Sequence, residues 1–390
     1  MEFSLLQSEF IGALSKIVSL ASGYNGAKPI LRYILMDLDE KRLRMVSAND
    51  ESEMEVCVPS ACIDIVSGGK VAVPATSIFD ICKFDTAKIR SGGEDRIFFK
   101  LDETLDRLAI RRSKGSYQVN CESAEHYPNI TKVDTSVQFS ISQGEMDDII
   151  SSTHFSMAIN DSRQFLNGMT LRLDGKHLDC VTSDSHRLSL YTLALVDKDD
   201  EEEGHAGVIV SRSGIMALKK LISGNTDSRE KSMQVSIGQS YVKFETAEFT
   251  FITKLIDGNS IDPKKFFPKE SSMLGKVKID RELLLSSVRS VAVIGGSKDL
   301  PRMIVEIKND SMLLSTTNAS HESAEISLPV EEFSGNESRI ALNYNYLIEV
   351  LNSISGKDVN LSFSKTSSVF EASEMSDYCC QRYIIMLIQL

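Results

Sequence analysis

Three stretches of this chain begin alike, and their spacing constrains the fold more than any other feature. "FSLLQSEFIGALSKIVSLAS" starts at Phe3, "FSISQGEMDDIISSTHFSMA" at Phe139 and "VKIDRELLLSSVRSVAVIG" at Val277, 136 and 138 residues apart. Each passes from short apolar–polar alternation, through a polar break, into apolar residues at helical spacing. Phe10, Leu14, Ile17 and Val18 fall at i, i+4, i+7 and i+8, and Met146, Ile149, Ile150 and Thr153 play the same part in the second copy. A second unit recurs with them: "VAVPATSIFDICKF" from Val71, "VIVSRSGIMALKKLI" from Val208 and "RIALNYNYLIEVLNSI" from Arg339. Each joins a strand directly to an amphipathic helix, with start signals at Pro74 and Thr76, Ser211 and Asn343. Val73, Val210 and Leu342 are equivalent positions 137 and 132 residues apart, so both landmarks keep one period.

Between the helices lie alternating runs closed by turn residues, such as "LRMVSANDESEMEVCV", "LRLDGKHLDCVT" and "MIVEIKNDSMLLSTTNAS". Asp174-Gly175 and Asn309-Asp310 read as hairpin turns that use positive φ. The expected fold class is α+β: three repeated domains, each of two sheet-plus-helix units. Their expected bounds are 1–130, 131–258 and 259–390, the last including a linker at 259–268. Repetition on this scale also suits a stacked or ring-like assembly. Two polar, Pro-bearing joints, residues 123–134 and 255–270, sit one at each repeat junction. The acidic run 197–204, "DKDDEEEG", reads as a solvated loop.

The 55 acidic and 43 basic side chains give a net charge of −12, which argues against a basic DNA-binding module. Seven cysteines, Cys57, Cys62, Cys82, Cys121, Cys180, Cys379 and Cys380, show no metal spacing and suit free thiols in a reducing compartment. The adjacent pair Cys379 and Cys380 reads as successive strand residues facing opposite ways. The start, "MEFSLLQSEF", shows no signal peptide. "YIIMLIQL", the longest apolar run, is shorter than the roughly 20 residues a bilayer span needs, so a soluble cytoplasmic protein is expected. "SGGK" at 67–70 lacks P-loop spacing, no His-Glu-x-x-His occurs, and the six histidines are scattered, so no metal or cofactor is expected.

One stretch, "TSDSHRLSLY" at 182–191, sets hydroxyls, a carboxylate and an imidazole side by side. A hydrolase would use Ser185 as nucleophile and His186 as base. Neighbouring strand residues point to opposite faces, however, and no Gly-x-Ser-x-Gly turn is present. Alternatively, Asp184 and Ser185 form a turn, with His186 and Arg187 at a polar edge.

Several stretches resemble the bacterial DNA polymerase III beta subunit, the sliding clamp. "RQFLNGMTLRLDG" (163–175) is similar to that family's Tyr-Leu-Asn-Gly-Met segment and "SDSHRLSL" (183–190) to its Thr-Asp-Gly-His-Arg-Leu motif. "HYPNI" (126–130), "KLIDGNSIDPKKFFPK" (254–269) and "YIIMLIQL" (383–390) follow in order and position. The resemblance covers the whole chain. It implies a non-catalytic processivity factor: a head-to-tail homodimer whose six domains close around duplex DNA, with sheets outside and helices lining the hole. A ring holds DNA topologically, so weak phosphate contacts suffice, and a Debye length of about 8 Å lets a positive hole coexist with an acidic exterior.

The residues that would line the hole are Lys16, Lys28, Arg32, Arg163, Arg212, Lys219, Lys220, Arg281 and Arg289. The resemblance also implies a pocket for short linear peptides of the replicative polymerase, the clamp loader and repair factors. Its wall would take Leu166, Ser183, Ser185, His186, Arg187 and Leu188 from the second domain and Ile261, Lys265 and Phe266 from the linker. The third domain would add Asn343, Tyr346, Ser368, Ile384, Met386, Leu387, Ile388 and Leu390. Adaptable Met and branched side chains in the C-terminal stretch suit an apolar anchor. Val293 and Ile294 fall where the family places dimer contacts, beside Gly295 and Gly296. This sequence departs from the family pattern at Ser183 (Thr is usual), Ser185 (Gly), Leu387 (Pro) and Gln389 (Arg). Those changes also suit a divergent clamp paralogue with restricted partners.

Overall fold

The computed structural model describes residues 1–83, 96–102, 106–112, 115–128, 133–195, 205–223, 229–269, 272–295, 301–364, 368–376 and 378–390. The acidic run 197–204, Asn129, Ile130 and Gly296 lie outside the described residues.

The repeat is visible in the order of elements. The first copy runs β1 (Glu2–Leu6), α1 (Gln7–Ser22), β2 (Tyr33–Leu38), β3 (Arg42–Ala48), β4 (Ser52–Pro59), β5 (Ile63–Ser67), β6 (Gly69–Pro74), α2 (Ala75–Lys83), β7 (Arg96–Asp102), β8 (Arg107–Arg112) and β9 (Gly115–Asn120). The second runs β10 (Thr135–Ser142), α3 (Gln143–Thr153), β11 (Gly168–Asp174), β12 (His177–Ser183), β13 (Arg187–Ala194), β14 (His205–Ser211), α4 (Arg212–Ile222), β15 (Ser232–Gly238), β16 (Tyr241–Glu245) and β17 (Phe249–Ile256). The third runs β18 (Gly275–Asp280), α5 (Arg281–Gly295), β19 (Arg302–Ile307), β20 (Ser311–Thr317), β21 (Ser323–Pro329), β22 (Glu332–Gly335), β23 (Ser338–Asn343), α6 (Tyr344–Ser353), β24 (Asp358–Ser364), β25 (Val369–Met375) and β26 (Cys379–Met386). A helix follows the opening strand of each copy, and a second follows its middle strands, where the two apolar periodicities place them.

Compactness divides the chain differently from the repeat. One unit comprises Met1–Gln143 with Met216–Leu255, and the other Gly144–Ile215 with Ile256–Leu390. The reason is strand pairing. In the first unit β4 pairs β17, so β6-β2-β3-β4 continues into β17-β16-β15-β10 as one antiparallel ladder. In the second, β13 pairs β26, so β14-β11-β12-β13 continues into β26-β25-β24-β18. Both halves of the middle repeat thereby join a neighbouring repeat. The outermost repeats keep one sheet each to themselves, β5-β1-β7-β8-β9 and β21-β20-β19-β23.

Alternation sets which face each strand buries. β2 reads half-buried, buried, half-buried, with Ile34, Met36 and Leu38 inward. In the first unit Phe3, Phe10 and Phe99 meet beneath α1, the rings of Phe3 and Phe99 stacked at 4.8 Å. In the second, α5 contributes Leu284, Leu285, Val288 and Val291 and α6 contributes Leu347, Val350 and Leu351 to one core with the inward residues of β18 to β20. Asn343 caps α6, its side chain accepting from the N–H groups of Asn345 and Tyr346, and the Ser211 hydroxyl accepts from Gly214 N–H.

The hairpin expectations part here. Gly175 takes φ 61 in the tight β11–β12 turn. Asn309 and Asp310 do not use positive φ; Lys308 N–H donates to the Ser311 carbonyl at 2.9 Å and closes β19–β20 without it. All seven cysteines are free thiols. Consecutive places on β26 turn Cys379 and Cys380 to opposite faces, both half-buried.

Candidate functional site

The stretch 183–187 forms the turn between β12 and β13. The Ser183 hydroxyl donates to the Arg187 carbonyl at 2.8 Å and accepts from Ser185 N–H at 3.1 Å. Asp184 Oδ1 accepts from the N–H groups of His186 and Arg187, both at 3.0 Å. The side chains thus do the bonding that a ladder would do elsewhere, which is why Ser and Asp occupy these positions. Ser185 takes φ 71, a left-handed conformation that glycine adopts without strain and serine does not. Its hydroxyl donates to the Asp184 carbonyl and accepts from Arg163 Nη2 at 2.8 Å. No hydrogen bond joins Ser185 Oγ to the His186 ring among the described residues, and the hydrolase reading lacks its base.

Beside this turn lies a cleft of about 500 Å³, contained wholly in the second compact unit. Four separate segments build its apolar floor: Leu166, Val181 with Leu188, Ile261, and Ile384, with Phe165, Phe267 and Val369 packed against them. Phe266 and Met386 stand at its mouth, 54% and 47% exposed. Arg163 and Lys265 line it as well.

The segment that carries Ile261 and Phe266 is pinned from several sides. Ile261 N–H donates to Thr170 Oγ1, Asp262 caps the short 3₁₀ turn Pro263–Lys265, and Arg172 pairs with Asp262 at 3.1 Å. Lys264 pairs with Asp174 at 2.6 Å and holds that carboxyl below its usual range. Arg382 lies over the Phe267 ring at 4.0 Å.

Arg187 ties the turn to its surroundings. Its guanidinium donates to Asp184 at 2.9 Å, to the Phe155 carbonyl at 2.6 Å and to Glu349, and it covers the Tyr346 ring at 4.4 Å. Arg163 grips Asp161 through two nitrogens, and those hydrogen bonds lower the Asp161 carboxyl to about 2.

The structure brings Leu166, Ser183, Ser185, Arg187, Leu188, Ile261, Lys265, Phe266, Ile384 and Met386 to this one cleft. His186 is exposed. Tyr346 stands beside Arg187, and Asn343 serves as the cap of α6. Leu387 N–H donates to the Ser368 carbonyl, Ser368 takes φ 50, Ile388 bridges to Ala341, and Leu390 is exposed. Phe165, Phe267, Pro268 and Val369 line the cleft and were missed by sequence reasoning, although the first sits beside Leu166 and the second doubles Phe266.

The basic residues divide. Arg163 belongs to the cleft. Lys16 pairs with Glu248 at 3.1 Å; Arg212 donates to the carbonyls of His154 and Met157, and Arg281 to those of Gly356 and Leu351. Arg289 donates to Asn352, and Arg32 to the Tyr24 carbonyl. Lys28 and Lys220 are exposed, and Lys219 is half-buried. Val293 is 78% exposed and Ile294 half-buried.

Among the described residues no group of His, Cys, Asp or Glu could hold a metal, and no helix is long and apolar enough to cross a membrane. Burial pushes the Cys82 thiol up to about 12 and the Cys121 thiol to about 11, which leaves them poor nucleophiles. These features define a class: a repeat-built protein of sheets and helices that carries an apolar groove of peptide width.

Comparison with known proteins places it within that class. Family models of the DNA polymerase III beta subunit match residues 140–262 (central domain) and 264–388 (C-terminal domain), together well over half of the chain. The beta sliding clamp of Proteus mirabilis is 28% identical over 390 residues and that of Escherichia coli K12 25%, each covering 100% of both chains. Among solved structures, a Pseudomonas aeruginosa sliding clamp bound to griselimycin superposes with a TM-score of 0.89 at 25% identity over 100% of both chains. The Bacillus subtilis clamp, at 17% identity, shares the fold with a TM-score of 0.88. The chain belongs to the DNA polymerase III beta subunit family, the beta sliding clamps, which are accessory subunits without catalysis of their own.

Proposed function

We propose that this protein is a processivity factor that encircles duplex DNA as a homodimer and holds polymerases to it through the cleft just described. The observation that carries the reading is the cleft floor, where Leu166, Leu188, Ile261 and Ile384 converge from four segments under an open mouth. A short peptide with apolar anchors fills such a site. Tethering then raises the polymerase's effective concentration at the primer end, without any bond being made or broken.

Strand edges support head-to-tail closure. β4 and β13 each pair with the last strand of the following repeat, β17 and β26. Among the described residues their third-repeat counterpart β21 pairs only β20, and β9, the first-repeat counterpart of β17 and β26, pairs only β8. A third junction of the same kind, β21 of one copy against β9 of another, closes a dimer when made twice. Charge favours it: Arg107, Arg111 and Arg112 lie on β8, while Glu322 and Glu325 lie at β21. Val293 and Ile294 are assigned to the same interface.

In this reading the three repeats, 1–130, 131–258 and 259–390, are the domains. Lys28, Arg32, Lys219, Lys220 and Arg289 are assigned to the DNA-facing surface, with Lys16, Arg212 and Arg281 contributing charge from paired positions. The protein works in the cytoplasm. Its partners are the replicative polymerase, the clamp loader and repair factors. The left-handed Ser185 and the residues Leu387 and Gln389 favour, as a second reading, a paralogue with a narrower set of partners.

The test is primer extension on singly primed circular DNA with the cognate polymerase and loader. Long products are expected with the wild type, and short ones with Phe266→Ala/Met386→Ala, whose changes are confined to exposed side chains. Equal product lengths with and without the protein would overturn the proposal.

A further inference from the structure

The apolar floor of the cleft ends at an ion pair. On the sheet face that the cleft occupies, Val369 of β25 lies opposite Met386 of β26, and Glu371 lies opposite Ile384. Val369, Ile384 and Met386 line the cleft. The next places on that face are Glu371 and Arg382, and Arg382 Nε donates to Glu371 Oε1 at 2.7 Å. The Glu371 side chain is 5% exposed, and its Oε2 is buried without a hydrogen bond among the described residues. A buried pair satisfied at one oxygen only is a poor source of stability, since apolar side chains of similar volume would fill the place at no such cost. What the pair does hold is the Arg382 guanidinium, its carbon 4.0 Å from the centre of the Phe267 ring. That ring packs against the cleft floor. Behind it a second hollow, of about 690 Å³, opens on the same sheet, lined by Glu371, Arg382, Ser373 and Asn360. Pro268 lines both hollows.

We propose that Glu371 and Arg382 are positioning residues that hold the Phe267 ring as a fixed partition between the cleft and this second hollow, and so limit the size of the apolar anchor the cleft accepts. This rests on the peptide-binding reading above. Phe267 belongs to no strand or helix; its N–H reaches the Pro263 carbonyl at 3.3 Å, and its ring is steadied by what lies against it. A guanidinium anchored through Nε offers a planar cationic face to an aromatic ring, which an ammonium does not. The wall therefore stands before a peptide arrives, and an anchor that fits it does not have to order it. An anchor that is too large must push the ring off Arg382 or overpack the floor. The hollow behind is the space into which the ring moves once the brace is removed, and the cleft then lengthens in that direction.

The experiment uses the full-length protein and two fluorescent peptides, one of the Gln-x-x-Leu-Phe type and one identical except for 2-naphthylalanine in place of Phe. Wild type is expected to favour the Phe peptide by about tenfold, the scale of overpacking against a wall that does not yield. Glu371→Leu/Arg382→Ala removes the brace without leaving a buried charge, and should bring the two affinities within about threefold of each other. Arg382→Lys keeps a partner for Glu371 but offers no planar face to Phe267; it should lower the ratio in the same direction, and it decides the matter should the double variant fail to fold. Adding Phe267→Ala to either should not change the ratio further, because the ring and its brace are one device. Val359→Ala, a change at a fully buried core position of β24, costs stability without touching the brace and should leave the wild-type ratio intact. Equal affinities in the wild type, or the wild-type ratio preserved in the folded brace variants, would overturn the partition and leave the peptide reading standing. Failure of wild type to bind either peptide would overturn both. A circular dichroism melt on each variant shows which are folded.

Discussion

Among the described residues two internal repeat junctions are built by the same rule, and the hollows beside them are lined by opposite chemistry. In the first compact unit β4 pairs β17, and the hollow beside that seam, about 620 Å³, is lined by Arg42, Glu55, Lys243, Glu245 and Glu248. Its glutamates are paired: Glu55 with Arg44 at 2.8 Å, Glu245 with Lys243 at 2.7 Å, and Glu248 with both Lys16 and Lys231. In the second unit β13 pairs β26, and the hollow there is floored by Leu166, Leu188, Ile261 and Ile384. Strand pairing is common to both. What differs is the side chains added outside the repeat, the segment 261–268 and the end of β26. A polar hollow and an apolar groove thus come from one backbone plan, and the difference lies in the side chains where the copies diverge.

Substitutions can break or sharpen this contrast, the largest effect first. Arg187→Ala removes a cation, its side chain 10% exposed, that links Asp184, Phe155, Tyr346 and Glu349, and should cost about 3 kcal/mol in urea unfolding. Arg44→Ala, its counterpart near the polar seam, bridges only adjacent strands and should cost about 1 kcal/mol. Equal losses would erase the distinction. Phe267→Ala takes away the stacked partner of Arg382 and one wall of the cleft. About 2 kcal/mol of stability should go with it, and peptide affinity should fall about tenfold or more.

Smaller effects follow from titration and strain. Asp161 has its folded carboxyl pKa lowered, first by the Arg163 side-chain bonds, to about 2. Its contribution is present above the unfolded carboxylate value of about 4 and disappears as pH falls through about 2. A carboxyl-detected NMR titration should find that midpoint, and Arg163→Ala should return it to the ordinary range. Glu248 at the polar seam is likewise lowered, chiefly by Lys231, and should titrate with the same sign. Ser185→Gly should change stability least, a net shift within about 1 kcal/mol, because relieved strain is offset by the freer unfolded chain.

Period and alternation made α1 to α6 and the repeat legible in the sequence, since both follow from one face of each element being buried. Phe10, Leu14 and Ile17 announce α1 without any tertiary knowledge. The two compact units were not legible. Whether β17 pairs its own repeat or β4 depends on edges meeting in space, and no local pattern records it. Most of the cleft was recoverable from resemblance, through Leu166, Arg187, Ile261 and Ile384. Phe165, Phe267 and Val369 were not, because an apolar residue beside a motif looks the same whether it faces a core or a groove. That Arg163 lines the cleft was not legible either, because a basic residue near a helix carries no mark of the neighbour it will find. The left-handed φ of Ser185 could be suspected only from glycine being usual there.

The central claim is that the apolar groove of the second unit, and not the polar seam of the first, receives partner peptides. Calorimetric titration with a Gln-x-x-Leu-Phe peptide tests it on three proteins: the wild type, Met386→Glu in the groove, and Thr250→Glu at the polar seam. The account predicts saturable binding of one peptide per chain, abolished by Met386→Glu and unchanged by Thr250→Glu. Absence of saturable binding by the wild type, or its loss through Thr250→Glu while Met386→Glu binds normally, would contradict it.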